Sequence, residues 1–69
     1  MTPQVQQVLK HLQDHGSITG VEAEQVYRIR HLPRRIADLK VAHFLVNTEM
    51  RKDATGQRYA RYTLSGFKG

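Results

Sequence analysis

The 69-residue sequence predicts an α+β fold, mainly α: three helices, a possible short strand after the first of them, and a C-terminal β-hairpin. Two observations carry that reading. Apolar residues recur at helical spacing through Leu39, and from Phe44 onward the period changes from 3.6 to 2. A third observation sets the boundaries, because cap residues and turn formers stand at each change of pattern. Residues 1–64 are expected to form a single domain, and residues 65–69 a frayed C-terminal tail. A chain of this length buries only about 60% of the surface its unfolded form exposes, so one small core must hold it together.

The first helix opens at Pro3. Thr2 offers a capping hydroxyl, and proline loses nothing at the first helical position, where its N–H would have no partner. Val5, Val8, Leu9 and Leu12 fall at i, i+3, i+4 and i+7, one apolar stripe opposite Gln4, Gln6, Gln7, Lys10 and Asp14. Gly16 is placed to end the helix in the left-handed conformation. Ser17-Ile18-Thr19 is too short for a helix and can pair as a brief strand. Thr19 and Glu22 then form a capping box, each side chain reaching the other's backbone. The second helix is expected to run to about Val26, burying Val21, Val26 and part of Ala23. Tyr27-Arg28-Ile29 breaks it, with Ile29 the buried residue of a tight turn.

A third helix is expected from about His31 to Ala42. Pro33 is tolerated only in a first turn, which sets the start near Arg30. Leu32, Ile36, Leu39 and His43 share its buried face; Arg30, Arg34, Ala37, Asp38 and Val41 point away, and Arg35 and Lys40 flank the stripe. Residues 44–51 and 58–64 read as strands rich in β-branched and aromatic residues. Leu45 or Val46, Met50, Ala60, Tyr62 and Leu64 are their inward positions. The loop 52–57 between them carries Asp53 to open a turn and Gly56 for positive φ.

Composition narrows the function. Eleven Lys and Arg against six Asp and Glu give a net charge of +5, and there is no Cys. Without cysteine there is no disulfide scaffold, cysteine-ligated zinc or iron–sulfur site, or thiol catalysis, and a reducing cytoplasm is the expected compartment. No apolar run reaches the roughly 20 residues of a membrane span, and no signal peptide is apparent. The basic excess is uneven. Residues 1–27 hold one Lys against three acids, whereas residues 28–69 hold ten Lys or Arg against three. Such a surface attracts polyanions, chiefly nucleic acid. Ordinary solubilising charge is the bland alternative.

Helix, short strand, helix, tight turn, helix and a basic-tipped hairpin is the layout of a winged helix-turn-helix. In that layout the third helix can enter the DNA major groove, and the hairpin, or wing, can meet phosphate or the adjacent minor groove. The stretch Ile18-Thr19-x-Val21-Glu22-Ala23, followed by Tyr27-x-Ile29 and Leu32-x-x-Arg35-Ile36-x-Asp38-Leu39, resembles a family of small winged helix-turn-helix domains common in phages and prophages. The resemblance covers most of residues 17–64. The sequence departs from the family pattern at four places. Arg28 stands where the family has a turn glycine, and Arg30 where it has an N-cap Thr or Ser. Pro33 enters the first turn, and His43 takes the place of a helix-ending glycine. The resemblance implies DNA binding.

The residues divide by chemistry. Arg30, His31 and Arg34, at the start of the third helix, are the candidates for reading bases, since an arginine fork can bond O6 and N7 of guanine together. His31 is equally readable as a capping or simply exposed histidine. Arg28, Lys40, Arg51, Lys52, Arg58 and Arg61 are candidates for phosphate contact, which positions a protein without reading sequence. Tyr59 can stack or bond phosphate, or serve only strand propensity. Arg35 and Asp38, at i and i+3, are expected to pair structurally on the helix flank. His11 and His15 are at metal-ligand spacing, but no third ligand completes a site, and no metal or other cofactor is expected. No nucleophile motif is present, so an enzyme is not expected.

The sequence is therefore read as a small non-enzymatic binder of double-stranded DNA. It would be a transcription regulator, an excisionase-like architectural factor or a replication accessory, cytoplasmic and nucleoid-associated. One module buries modest area on DNA, so a homodimer or cooperative assembly on adjacent sites is expected. No membrane and no small-molecule substrate is implied. The alternative is a protein-interaction module on the same scaffold, binding an acidic host or phage protein.

Overall fold

The computed structural model describes residues 2–68; Met1 and Gly69, the last residue of the expected tail, lie outside them. The elements are α1 (Pro3–His15), β1 (Ser17–Thr19), α2 (Gly20–Tyr27), α3 (Leu32–Val41), β2 (Phe44–Lys52) and β3 (Arg58–Phe67). The three strands form one antiparallel sheet in the order β1-β3-β2. Three helices with a hairpin-bearing sheet are the α+β architecture the sequence predicts.

Local signals explain the helix ends. Thr2 Oγ1 accepts from the Val5 N–H at 3.3 Å, Pro3 opens the helix, and Gly16 closes it at φ 84° with its N–H on the Leu12 carbonyl. Thr19 and Glu22 make both halves of the capping box. Helix α2 continues through Tyr27, one residue past the expected end, and Arg28 closes it in the left-handed conformation, φ 58° and ψ 33°. That turn drops Ile29 into the core, where its N–H reaches the Ala23 carbonyl. Helix α3 starts at Leu32, not His31, and stops at Val41, leaving Ala42 as its C-cap. Pro33 occupies the first turn, so its missing N–H breaks no helical bond.

The core is a single cluster. Val5, Val8 and Leu12 of α1 meet Leu32, Ile36 and Leu39 of α3, with Ile18, Ala23, Ile29, Val46 and Tyr62 closing it. The same face of α1 also buries His11. Its Nδ1 lies 2.9 Å from the Tyr27 hydroxyl and its Nε2 3.5 Å from Glu22 Oε2, tying α1 to both ends of α2. Among the described residues no three His, Asp or Glu side chains stand close enough to hold a metal ion.

Several expected burials are corrected. Val21 and Val26 are exposed, because the face of α2 turned to the core runs through Ala23 and Tyr27, one turn apart. Val21 lies roughly 160° around the helix from Ala23. Met50 is exposed although it shares a face with Val46 and Tyr62: it stands on the edge strand β2, whereas its partner Ala60 on the central strand still packs against the core. His43 leaves the buried stripe because α3 ends before it, and it takes φ 72°. The expected frayed tail is strand instead over Ser65–Phe67. A bulge between Leu45 and Val46 lets Gly66 pair with Leu45 and Phe67 with Phe44, the two Phe rings meet tilted at 46° with centroids 4.8 Å apart, and Lys68 N–H reaches the His43 carbonyl.

Arg28 and His43 are the two non-glycine residues at positive φ among the described ones, and they bracket α3. A side chain in that region costs about 1–2 kcal/mol. Among the described residues no side-chain hydrogen bond or ion pair uses the His43 imidazole, so His43→Gly is expected to raise stability by about 0.5–1 kcal/mol, after allowing for the extra freedom of glycine in the unfolded chain. A thermal melt would register this as a Tm gain of at least about 2 °C. A fall in Tm would show that the side chain stabilises the fold by a contact outweighing the strain.

Candidate nucleic-acid interface

The cations after residue 27 gather at the start of α3 and along the hairpin. At the first place, the turn that puts Arg28 in the left-handed conformation and the first turn of α3 bring Arg28, Arg30, His31, Arg34 and Arg35 around one concavity of about 280 Å³, with Gln4 of α1 on its rim. Arg30, His31 and Arg34 are exposed. Arg30 stands in the loop ahead of α3 rather than on it. His31 is the N-cap, but it caps only through its carbonyl, which accepts from the Arg34 and Arg35 N–H groups; its ring makes no capping bond.

At the second place, the hairpin register separates residues the sequence grouped together. Lys52 faces Arg58 and Met50 faces Ala60 across the strands, on the same face as the buried Val46 and Tyr62. Arg51 faces Tyr59 and Glu49 faces Arg61 on the other face. Arg51 is bound to Glu49, with Nε and a terminal guanidinium nitrogen at 3.0 and 2.9 Å from one carboxylate oxygen. Lys52 and Arg58 thus form a cationic pair on the core side of the sheet, beyond the core, while Arg51 is paired with Glu49 and Arg61 stands across the strands from it.

The loop at the tip is ordered by Asp53. Its Oδ1 accepts from the Thr55 hydroxyl at 2.6 Å and from the Thr55 and Gln57 N–H groups at 2.9 and 3.0 Å. These bonds, the Thr55 hydroxyl foremost, hold the carboxyl below its ordinary range. The ionised carboxylate therefore braces the turn at neutral pH and loses that hold only as pH falls through the lowered value.

A run of shallow depressions joins the two places. Arg30 lines both the concavity at the start of α3 and a groove of about 320 Å³ shared with Pro33, Tyr59 and Ala60. Tyr59 in turn borders a second depression with Gln57 and Arg58, and Arg58 borders a third with Met50, Arg51 and Lys52. The depressions carry cations at both ends, Arg30 and Arg34 at the start of α3 and Arg58 and Lys52 on the hairpin, and between them are lined mostly by uncharged residues, with Glu24 and Asp53 as acids. Lys40, about 9 Å along the helix axis from Arg34, borders none of these depressions, and neither does Arg61, although it shares its face of the sheet with Arg51 and Tyr59.

A family model described as a winged helix-turn-helix domain matches residues 3–66. The chain belongs to the winged helix-turn-helix family. No curated protein and no solved structure matches it. As a winged helix, it carries the helix-turn-helix on α2 and α3, and β2 and β3 are the wing. Winged helix-turn-helix domains in general bind DNA and are typically non-enzymatic. Among the described residues no helix is long and apolar enough to cross a membrane.

Gln4 and Pro33 are parts of this winged helix surface that sequence reasoning missed. Gln4 reaches the concavity only because α1 packs against α3. No local pattern signals a neighbour nearly thirty residues away in the chain. Arg35 and Asp38 approach to 3.4 Å, and Arg35 also lines the concavity, a second place for it that helical spacing alone did not reveal.

Proposed function

We propose that the protein binds double-stranded DNA without chemistry, α3 entering the major groove and the wing lying on phosphate or in the adjacent minor groove. The observation that carries this reading is the gathering of cations at two places, Arg28, Arg30 and Arg34 at the start of α3 and Arg58 and Lys52 on the wing, linked by a run of depressions along Tyr59. A B-DNA major groove is about 12 Å wide and admits one helix, and α3 presents exposed Arg34 in its first turn with Arg30 just ahead. Arg30, His31 and Arg34 are the groups offered to base edges. Arg28, Lys52 and Arg58 are offered to phosphate, with Arg51, Arg61 and Lys40 as outer contacts. The biological role is that of a phage- or prophage-type regulator or architectural factor, and two copies on adjacent or palindromic half-sites supply the area one module lacks.

A salt series of gel-shift assays on the full chain tests the reading. About six phosphate contacts should make the logarithm of the binding constant fall with the logarithm of salt concentration at a slope near −5. Failure to retard any duplex at low salt would remove DNA binding as the function. Retardation with a slope near zero would remove the phosphate-clamping mechanism.

A further inference from the structure

Arg28 is held at φ 58°, a conformation that glycine adopts freely and that a β-carbon makes costly. The turn itself has no use for the side chain. Its bonds run from the Arg28 N–H to the Glu24 carbonyl and from the Ile29 N–H to the Ala23 carbonyl, and any residue at position 28 would make them. What the arginine adds is a guanidinium on the wall of the concavity at the start of α3. Arg28 differs from His43, the other strained non-glycine residue, in that its side chain lines a cationic concavity, and the strain together with that placement points to a role for the side chain.

Arg35 supplies an independent observation. Its side chain is 17% exposed, its Nε is buried without a hydrogen-bond partner, and Asp38 Oδ2 stands 3.4 Å from that nitrogen. A mostly buried arginine beside one partly exposed carboxylate is incompletely satisfied, and it lines the same concavity as Arg28. Among the described lining residues none is acidic, and Gln4 adds an uncharged amide donor.

We propose that Arg28, Arg35 and Gln4 form a seat for one phosphodiester oxyanion within the concavity whose other wall is Arg30, His31 and Arg34. This rests on the DNA-binding reading and deepens it: the seat fixes where the backbone of one strand crosses α1 and α3, and so the register of α3 in the groove. Asp38 is a positioning residue that holds Arg35 along the helix. The left-handed arginine exchanges some stability of the free protein for a phosphate contact.

The test compares four full-length proteins by thermal melting and by gel shift over a salt series: wild type, Arg28→Gly, Arg35→Gln and Lys10→Ala. Lys10 is an exposed cation on α1 away from the seat and controls for lost net charge. Arg28→Gly is expected to melt higher than wild type, yet to bind every duplex more weakly, with the salt slope shallower by about 0.9. Arg35→Gln should show the same change in slope, and Lys10→Ala the wild-type slope. If Arg35→Gln does not fold, Arg28→Gly carries the test alone, since glycine suits that backbone. Wild-type slopes in the Arg28 and Arg35 variants, with wild type binding DNA, would overturn the seat and leave the DNA-binding reading intact. An equal change of slope in Lys10→Ala would also overturn it, by showing that only net charge matters. Absence of duplex binding by wild type would remove both.

Discussion

Leu39→Ala is expected to destabilise the fold by about 2–5 kcal/mol, the largest effect of any single truncation here. Leu39 has no exposed surface, and its helix is packed between α1 and β2. The cost combines the lost transfer energy of the removed carbons with the cavity left among rigidly placed neighbours. In a 69-residue chain the total stability is only about 5–15 kcal/mol, so the loss is a large fraction of the whole. Circular dichroism melts should show a Tm fall of more than about 8 °C. Val41→Ala, two residues on and 80% exposed, should stay within about 0.5 kcal/mol of wild type. Equal losses at the two positions would mean that the inward face of α3 is misassigned.

The second large effect concerns recognition. Arg34→Ala is expected to abolish sequence preference at one or two base pairs, a discrimination of about 1–3 kcal/mol, while leaving binding to unrelated duplexes largely intact. Arg58→Ala should weaken all duplexes by a common factor and make the salt slope shallower by about 0.9. The contrast follows from position: Arg34 is in the first turn of α3, whereas Arg58 stands with Lys52 on the hairpin beyond the core. Selection of bound duplexes from a random pool reads the first quantity, and gel shifts over a salt series the second. Identical losses for both variants would collapse the division between reading and clamping.

What the sequence made legible was the local chemistry. Thr2, Pro3 and Gly16 bound α1, Thr19 and Glu22 cap α2, and the change of period at Phe44 marks the hairpin, because each of these rests on residues a few positions apart. What it hid depends on packing over long range. Val21 and Val26 read as core because they are apolar on a helix, but an eight-residue helix touching the core through Ala23 and Tyr27 leaves no room beneath them. Residues 65–67 read as part of a frayed tail, whereas a bulge opposite Leu45 and Val46 carries the pairing on to Phe67. The cations were visible as a basic excess. That Arg51 is bound to Glu49, that Arg61 stands across the strands from it, and that Arg35 shares a concavity with Arg28 are consequences of register and of helix docking, neither of which composition encodes.

The short strand β1 has a dynamic consequence. It pairs only with Arg61–Thr63, so the sheet is three strands wide at that level and two strands wide from Met50 and Ala60 to the tip. A two-stranded ribbon on its own is marginal in water. The base of the hairpin is therefore tied to the core by β1, while its distal half, carrying Lys52 and Arg58, is expected to open at smaller cost. The wing is thus a lightly braced arm on the packed body of the domain, its far end held chiefly by the Asp53 turn.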